Sequence, residues 1–193
     1  MPTDGIFTVC AYYSAAASFS KGRNPMYAYC FFCETQKCKY VAFSLEQRGV
    51  MRAFSPQIIR RHRVQGKNID GMCDLLPGYI FAYSEEELKD ASLFYGIDGL
   101  IRRIGNRETD YSLTDTDFDF AMNLYGKNGI VGQVPVFKIG NEVRLDDPLF
   151  NNCKGKITKI DYRKQRARVD YSFGGMDCYT WVACELISKV ENA

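Results

Sequence analysis

Leu75-Leu76-Pro77-Gly78-Tyr79-Ile80-Phe81-Ala82-Tyr83 is the stretch on which the reading of this chain turns. Pro77-Gly78 is a turn dipeptide. Beyond it Tyr79, Phe81 and Tyr83 alternate with Ile80 and Ala82, the period that sends neighbouring side chains to opposite faces of a strand. One face is therefore aromatic and the other aliphatic. The ring-bearing face is expected to stay open to a partner.

Upstream, Tyr27 to Cys33 is aromatic and sulfur-rich and reads as a buried strand, after which Cys38, Val41, Ala42 and Leu45 recur at helical spacing until Gly49. Ala53 to Ile59 is extended and runs into Arg60-Arg61-His62-Arg63; Gln65-Gly66-Lys67-Asn68 is a turn, so this segment reads as a basic hairpin tip. Downstream, Glu85-Glu86-Glu87 and the residues to Phe94 suit a short solvated helix, and Gly96, Gly99 and Gly105 punctuate the next stretch. Thr114 is placed to cap a helix with Phe118, Ala121, Met122 and Tyr125 on one face and Asp117 near its positive end; Gly126 ends it.

Three glycines between Gly126 and Gly132 have the composition of a flexible connection. The remainder shows no helical period. Val143 to Leu145, Gly155 to Ile160, Arg166 to Tyr171 and Tyr179 to Val182 are short β-prone runs, the pattern of a small barrel. In the third run Ala167, Val169 and Tyr171 would point inward while Arg166, Arg168 and Asp170 face water. Residues 1–25 carry no sustained period and are expected to be poorly ordered, with Met26 standing at the onset of periodic sequence as a candidate natural start. The expected division is an extension at 1–25, a first domain at 26–126, a linker at 127–135 and a second domain at 136–193.

At 193 residues the chain can bury one ordinary core or two small ones. No apolar run approaches the roughly 20 residues of a membrane span, and Ala15-Ala16-Ala17-Ser18 lacks a preceding basic segment of the kind a secretory signal carries. The expectation is a cytoplasmic protein without membrane contact, its eight cysteines mostly buried thiols. A net charge of +2 excludes a uniformly basic coat. Locally the balance differs: Lys154, Lys156, Lys159, Arg163, Lys164, Arg166 and Arg168 stand against the single acid Asp161.

Leu76-Pro77-Gly78-Tyr79-Ile80-Phe81, arriving after a strand, a helix and a basic loop, resembles the F-P-G-Y-V-F segment of the NusG family's amino-terminal domain, the NGN fold. Ile139-Gly140-Asn141-Glu142-Val143-Arg144-Leu145, with Asp146-Asp147-Pro148-Leu149 and then Gly155-Lys156-Ile157, is similar to the family's KOW motif, in which the glycine matching Gly155 permits a close approach that a side chain forbids. Ser172-Phe173-Gly174 resembles the S-x-F-G turn between late barrel strands. The resemblance covers about Met26 to Val190. It implies an α+β protein: an NGN domain, an antiparallel sheet flanked by helices, followed by a KOW domain, an SH3-like β-barrel.

The chain departs from the pattern at Asp147, where the family has glycine, at Leu149, where it often has phenylalanine, and by an extra residue between Pro148 and Gly155. These differences touch the loop used for Rho or the ribosome, and with the extension they point to a specialised paralogue of the RfaH or LoaP kind.

The resemblance implies a transcription elongation and antitermination factor that is not an enzyme and needs no cofactor. Leu76, Pro77, Tyr79 and Phe81 match the patch that packs against the clamp helices of the largest RNA polymerase subunit. Apolar and aromatic anchors of this kind suit a helical partner, although without the resemblance they would read as ordinary core. Arg60, Arg61, Arg63 and Lys67, and separately the set from Lys154 to Arg168, are candidate contacts to nucleic acid in the elongation complex or to nascent RNA, since clustered cations gain from phosphates; a solvated charge run is the plain alternative. The second domain would recruit RNA, a ribosomal protein or Rho, and the protein is expected to be a monomer. A KOW-containing RNA-binding or ribosome-associated protein is the alternative, with no need for the Leu76 to Phe81 patch.

Cys30, Cys33 and Cys38 invite a zinc reading. Strand parity separates the first two, so buried thiols without metal are expected. His62 has no evident catalytic partner, and neither a phosphate-cradling glycine loop nor a nucleophile beside a base is visible.

Overall fold

The structure, a computed structural model, describes residues 27–105, 111–139 and 142–188. The extension at 1–25, Gly140-Asn141 of the second motif and the last five residues lie outside the described residues. The elements are β1 (Tyr27–Cys33), α1 (Cys38–Gln47), β2 (Arg52–Phe54), β3 (Gln57–Val64), β4 (Lys67–Asp74), β5 (Tyr79–Ser84) and β6 (Leu100–Ile104). They continue with α2 (Asp115–Gly126), β7 (Ile130–Val131), β8 (Val134–Ile139), β9 (Glu142–Leu145), α3 (Pro148–Asn152), β10 (Lys156–Asp161), β11 (Arg166–Phe173) and β12 (Met176–Ser188). The architecture is α+β, and no described helix is long and apolar enough to cross a membrane.

A four-stranded sheet in the order β2-β5-β1-β6 forms the centre of the first half, with β1 and β5 antiparallel. Alternation sends Tyr29, Phe31, Cys33, Ile80 and Ala82 to one side, where Cys38, Val41, Ala42 and Leu45 of α1 cover them. The opposite side carries Ala28, Cys30, Phe81 and Tyr83 against Phe120, Ala121 and Leu124 of α2. The Tyr83 hydroxyl donates to the Ala121 carbonyl at 2.7 Å and ties helix to sheet. The buried stripe of α2 is centred on Phe120 and Leu124, whereas Phe118, Met122 and Tyr125 are half-buried; a helix enclosed from more than one direction buries more than the single face its spacing suggests. Thr114 occupies the N-cap position, yet its side chain makes no cap hydrogen bond.

A separate sheet, β4-β3-β7, contains the basic hairpin, whose strands meet at Val64 and Lys67. The third sheet, β10-β11-β12-β8-β9, is built only from residues after 133 and curls into a nearly closed barrel. The Gly126 to Gly132 stretch does more than connect: β7 pairs in parallel with β3, and Gly129, at φ +75, leaves room for the Phe54 ring where a Cβ would come within 2.5 Å.

Two local expectations need correction. The stretch after Ser84 is not a helix; it makes one 3-10 turn at Ala91–Phe94, opened by the Asp90 carboxylate accepting from Ser92 N. Leu88 N donates to the Tyr29 hydroxyl at 2.8 Å, which commits that backbone group to the sheet and not to a helical ladder. The sequence of the second half reads as strands alone, but the fold there contains α3. Pro148 begins α3, the Asp147 carboxylate accepts from Leu149 N at 3.0 Å, and Leu149 and Phe150 are buried.

Gly155 behaves as its motif implies. A Cβ there would stand 2.7 Å from the Phe150 carbonyl oxygen and 2.8 Å from its Cβ, both on the buried turn of α3. Gly155→Ala is expected to lower stability by about 1–3 kcal/mol, the cost of overpacking a close backbone approach. Urea unfolding with an unchanged midpoint would contradict this account of the glycine.

Candidate functional site

The aromatic face begins at a turn. Pro77 and Gly78 occupy its central positions, Gly78 has φ +83, and Tyr79 N donates to Leu76 O at 3.1 Å, the pattern of a type II turn. Gly78 also lies against β1, where a Cβ would meet Cys33 O and the Phe32 ring at 3.0 Å. The turn therefore pins the start of β5 and aims Tyr79 along Phe32, with ring centroids 5.2 Å apart.

Of the four residues expected to contact polymerase, Pro77 is exposed, Tyr79 is half-buried, Leu76 is 7% exposed and Phe81 has no exposed surface. The face is not open in this arrangement. Its cover comes partly from α2, with Phe81 and Phe120 centroids 6.0 Å apart, and partly from the barrel. Phe173, at the end of β11, lies 5.3 Å from Phe81 and edge-on to Tyr79 at 6.5 Å. The Tyr79 hydroxyl points to Met176 Sδ at 3.9 Å. Burial pushes the Tyr79 phenol above its ordinary value, so it remains a neutral donor. One apolar cluster runs from Ala28 through Phe81 and Phe120 to Tyr171, Phe173 and Val182, so the halves share a core instead of keeping separate ones.

Polar contacts ring this apolar joint. Gly174 N donates to Asp117 Oδ1 at 3.0 Å, and Lys127 pairs with the largely buried Asp147 at 2.7 Å. Asp147 thus holds the first turn of α3 and receives a cation from the end of α2. Neither partner, nor Phe173 as a cover, is identifiable from sequence alone. The aspartate standing where the family has glycine is the available signal at position 147, and it marks a loop difference without naming Lys127.

The two basic sets, separate in the sequence, meet in space. Arg61 grips both Asp70 carboxylate oxygens at 2.6 and 2.9 Å and donates to Gln165 Oε1 at 2.9 Å. Arg63 donates to the Arg163 carbonyl at 3.3 Å, so the tip of the β3–β4 hairpin rests on the β10–β11 turn. Arg61 is consequently committed to an internal link, while Lys67 and Arg63 stay exposed and Arg60 is half-buried. Its hydrogen bonds to Arg61 hold the Asp70 carboxyl below the usual range.

In the second set Lys154, Lys156, Lys159 and Arg163 are exposed and Lys164 is half-buried. Arg166 bonds Asp161 at 3.3 Å and stacks over Trp181; Arg168 bonds Asp170 at 2.8 Å and stacks over Tyr179. His62 is an exposed hairpin residue. Cys33 and Cys38 sulfurs lie 3.3 Å apart while Cys30 faces the other side of the sheet, and among the described residues no three His, Cys, Asp or Glu side chains gather as a metal site. Burial pushes the Cys33 thiol to about 12 and Cys153 to about 11, so neither is a poised nucleophile.

No protein-family model matches the sequence. The chain is similar to transcription termination/antitermination protein NusG of Rickettsia felis, at 26% identity over 112 residues, and of Rickettsia conorii, at 25% over 112 residues. Each match spans 58% of this chain and 58% of the relative's length. In three dimensions it resembles Thermotoga maritima NusG, in a structure concerned with domain interaction, with a TM-score of 0.50 and 16% identity over 81% of this chain and 92% of that one. This likeness supports the two-part α+β fold.

The lowered Asp70 value predicts a pH signature. A carboxylate depressed in the folded state contributes stability above its unfolded value, and the contribution disappears as pH falls through the folded value. Asp70→Asn should therefore lower the unfolding midpoint at neutral pH and converge with the native protein in acid below the ordinary carboxylate range. A difference of the same size at both extremes would remove the Arg61–Asp70 ion pair from the account.

Proposed function

We propose that this chain is a NusG-like transcription factor which binds RNA polymerase through Leu76, Pro77, Tyr79 and Phe81 and suppresses pausing or termination without chemistry of its own. The reading draws on the two motifs, the local similarity to NusG proteins and the fold. It is carried by one observation: the aromatic side of β5 is completed by Phe173 and Met176, residues of a sheet separate from its own.

The clamp helices of the largest polymerase subunit are the proposed partner, because an amphipathic coiled coil can lay its apolar face on the same rings. Partner and barrel compete for one surface. Polymerase must displace the barrel, and it can do so only by its differential affinity for the uncovered state. Once released, the barrel is free to meet a ribosomal protein or Rho, while the exposed cations at Lys154 to Arg168 are the proposed contacts to RNA. With the clamp held around nucleic acid, the paused state is disfavoured by the same differential affinity. The protein would act as a cytoplasmic monomer and as a specialised paralogue.

Capture of purified core polymerase on the immobilised full chain tests this. Asp117→Ala removes the acceptor of Gly174 N without altering the aromatic face and should raise capture several-fold. Adding Tyr79→Ala should then lower affinity by about thirtyfold, the scale of an aromatic hot spot. Equal capture by all three proteins, each folded by circular dichroism, would remove both the site and its cover from the proposal.

A further inference from the structure

The outward side of the barrel carries a feature that polymerase binding does not use. On β11 the odd-numbered residues Ala167, Val169, Tyr171 and Phe173 are buried, and the last two meet the first half. Arg166 and Arg168 alternate with them and point the other way. Across the ladder Arg168 pairs with Trp181 and Asp170 with Tyr179, so Tyr179 and Trp181 stand on that outward side as well. The guanidinium of Arg168 lies 4.2 Å from the Tyr179 ring centre, and that of Arg166 lies 4.5 Å from Trp181. Tyr179 remains 61% exposed.

Trp181 is half-buried on this face, and each ring carries one stacked guanidinium. A tyrosine and a tryptophan two positions apart on a strand, about 6.6–6.8 Å between their Cα atoms, give flat surfaces at roughly twice the stacking rise of nucleic-acid bases. Beside them β10 contributes the exposed Lys156 and Lys159, Lys159 being paired with Arg168. Around the strands, seven cations stand against one acid between Lys154 and Arg168. Interleaved flat groups and cations match a strand that offers bases on one edge and phosphates on the other.

We propose that Tyr179 and Trp181, with Arg166 and Arg168 stacked on them and Lys156 and Lys159 alongside, form a platform for single-stranded RNA. The bases stack on the rings and on the guanidinium planes, and the lysines meet the phosphates. RNA is favoured over DNA by the acceptors at the platform. Asp170, whose Oδ1 accepts from Thr158 and Arg168, stands opposite Tyr179, and its second carboxylate oxygen suits a ribose hydroxyl, a donor that DNA lacks. A duplex fits poorly, since its bases are not free to stack. Because the platform faces away from Phe173, it is available while the barrel covers β5. The inference rests on reading the Lys154 to Arg168 cations as nucleic-acid contacts, and it adds the aromatic residues, the unpaired state of the ligand and its independence of barrel release.

The test uses the full chain and a labelled uridine-rich RNA of about 12 nucleotides, within the range comparable small barrels cover. Trp181 is the only tryptophan, so its emission reports this site alone. The expected results are quenching on RNA addition, a roughly tenfold to hundredfold affinity loss for Tyr179→Ala with an unchanged salt slope, and for Lys156→Gln with Lys159→Gln a slope reduced by about 0.7 per lost contact. Unquenched emission, undiminished binding by Tyr179→Ala, or equal affinity for a hairpin duplex or for DNA of the same sequence would overturn the platform. Loss of binding in the lysine variant alone would leave the cation reading standing and overturn the role of the rings. Polymerase capture by Tyr179→Ala, measured in parallel, should match the native protein, which separates failure here from failure of the proposed function.

Discussion

Phe81 has no exposed surface because rings from two other segments close over it, Phe120 from α2 and Phe173 from the barrel. Fully burying such a side chain is worth roughly 1.5–3 kcal/mol, and each favourable ring pair adds about 0.5–1.5 kcal/mol. That joint decides how the two halves sit. With Phe173 against Phe81 and Tyr79, the β10–β11 turn reaches the β3–β4 hairpin and Lys127 reaches Asp147. Uncovered, the same rings would present an apolar patch to water, which soluble proteins generally cover or use for binding.

The surrounding polar contacts are of a different kind. Arg61–Gln165, Gly174–Asp117 and Lys127–Asp147 are directional and fix how the barrel is rotated on the sheet. Partly exposed ion pairs add little stability, so they orient a joint whose strength is apolar. Seating the barrel this way leaves Tyr179 on its outward side exposed and Trp181 beside it half-buried.

Several parts of this arrangement are legible in the sequence because they depend on neighbours in the chain. The alternation from Tyr79 to Tyr83 places an aromatic side on β5, Pro77-Gly78 marks the turn before it, and Gly155 marks a close approach, which the fold shows to be to the turn of α3. Other parts are hidden for a physical reason. Asp147 differs from the family's glycine, yet its role comes from Lys127, twenty positions away, which spacing does not reveal. The expected helix after Ser84 shrinks to one turn, and α3 forms where strands are expected, because burial of Leu149 and Phe150 outweighs the β-prone context.

By itself the amino-acid order determined most of the strands and two of the helices, though not β6, β7 or β8, and it determined which faces are apolar and where cations gather, since these depend on periodicity and turn chemistry within short segments. Only the tertiary structure decided that the aromatic side of β5 is covered by Phe173 and that the two basic sets adjoin. It also decided that Arg61 serves as a link and not as a free cation. These depend on which segments distant in the chain come to share a core, a choice made by the total apolar surface buried and not by any local pattern.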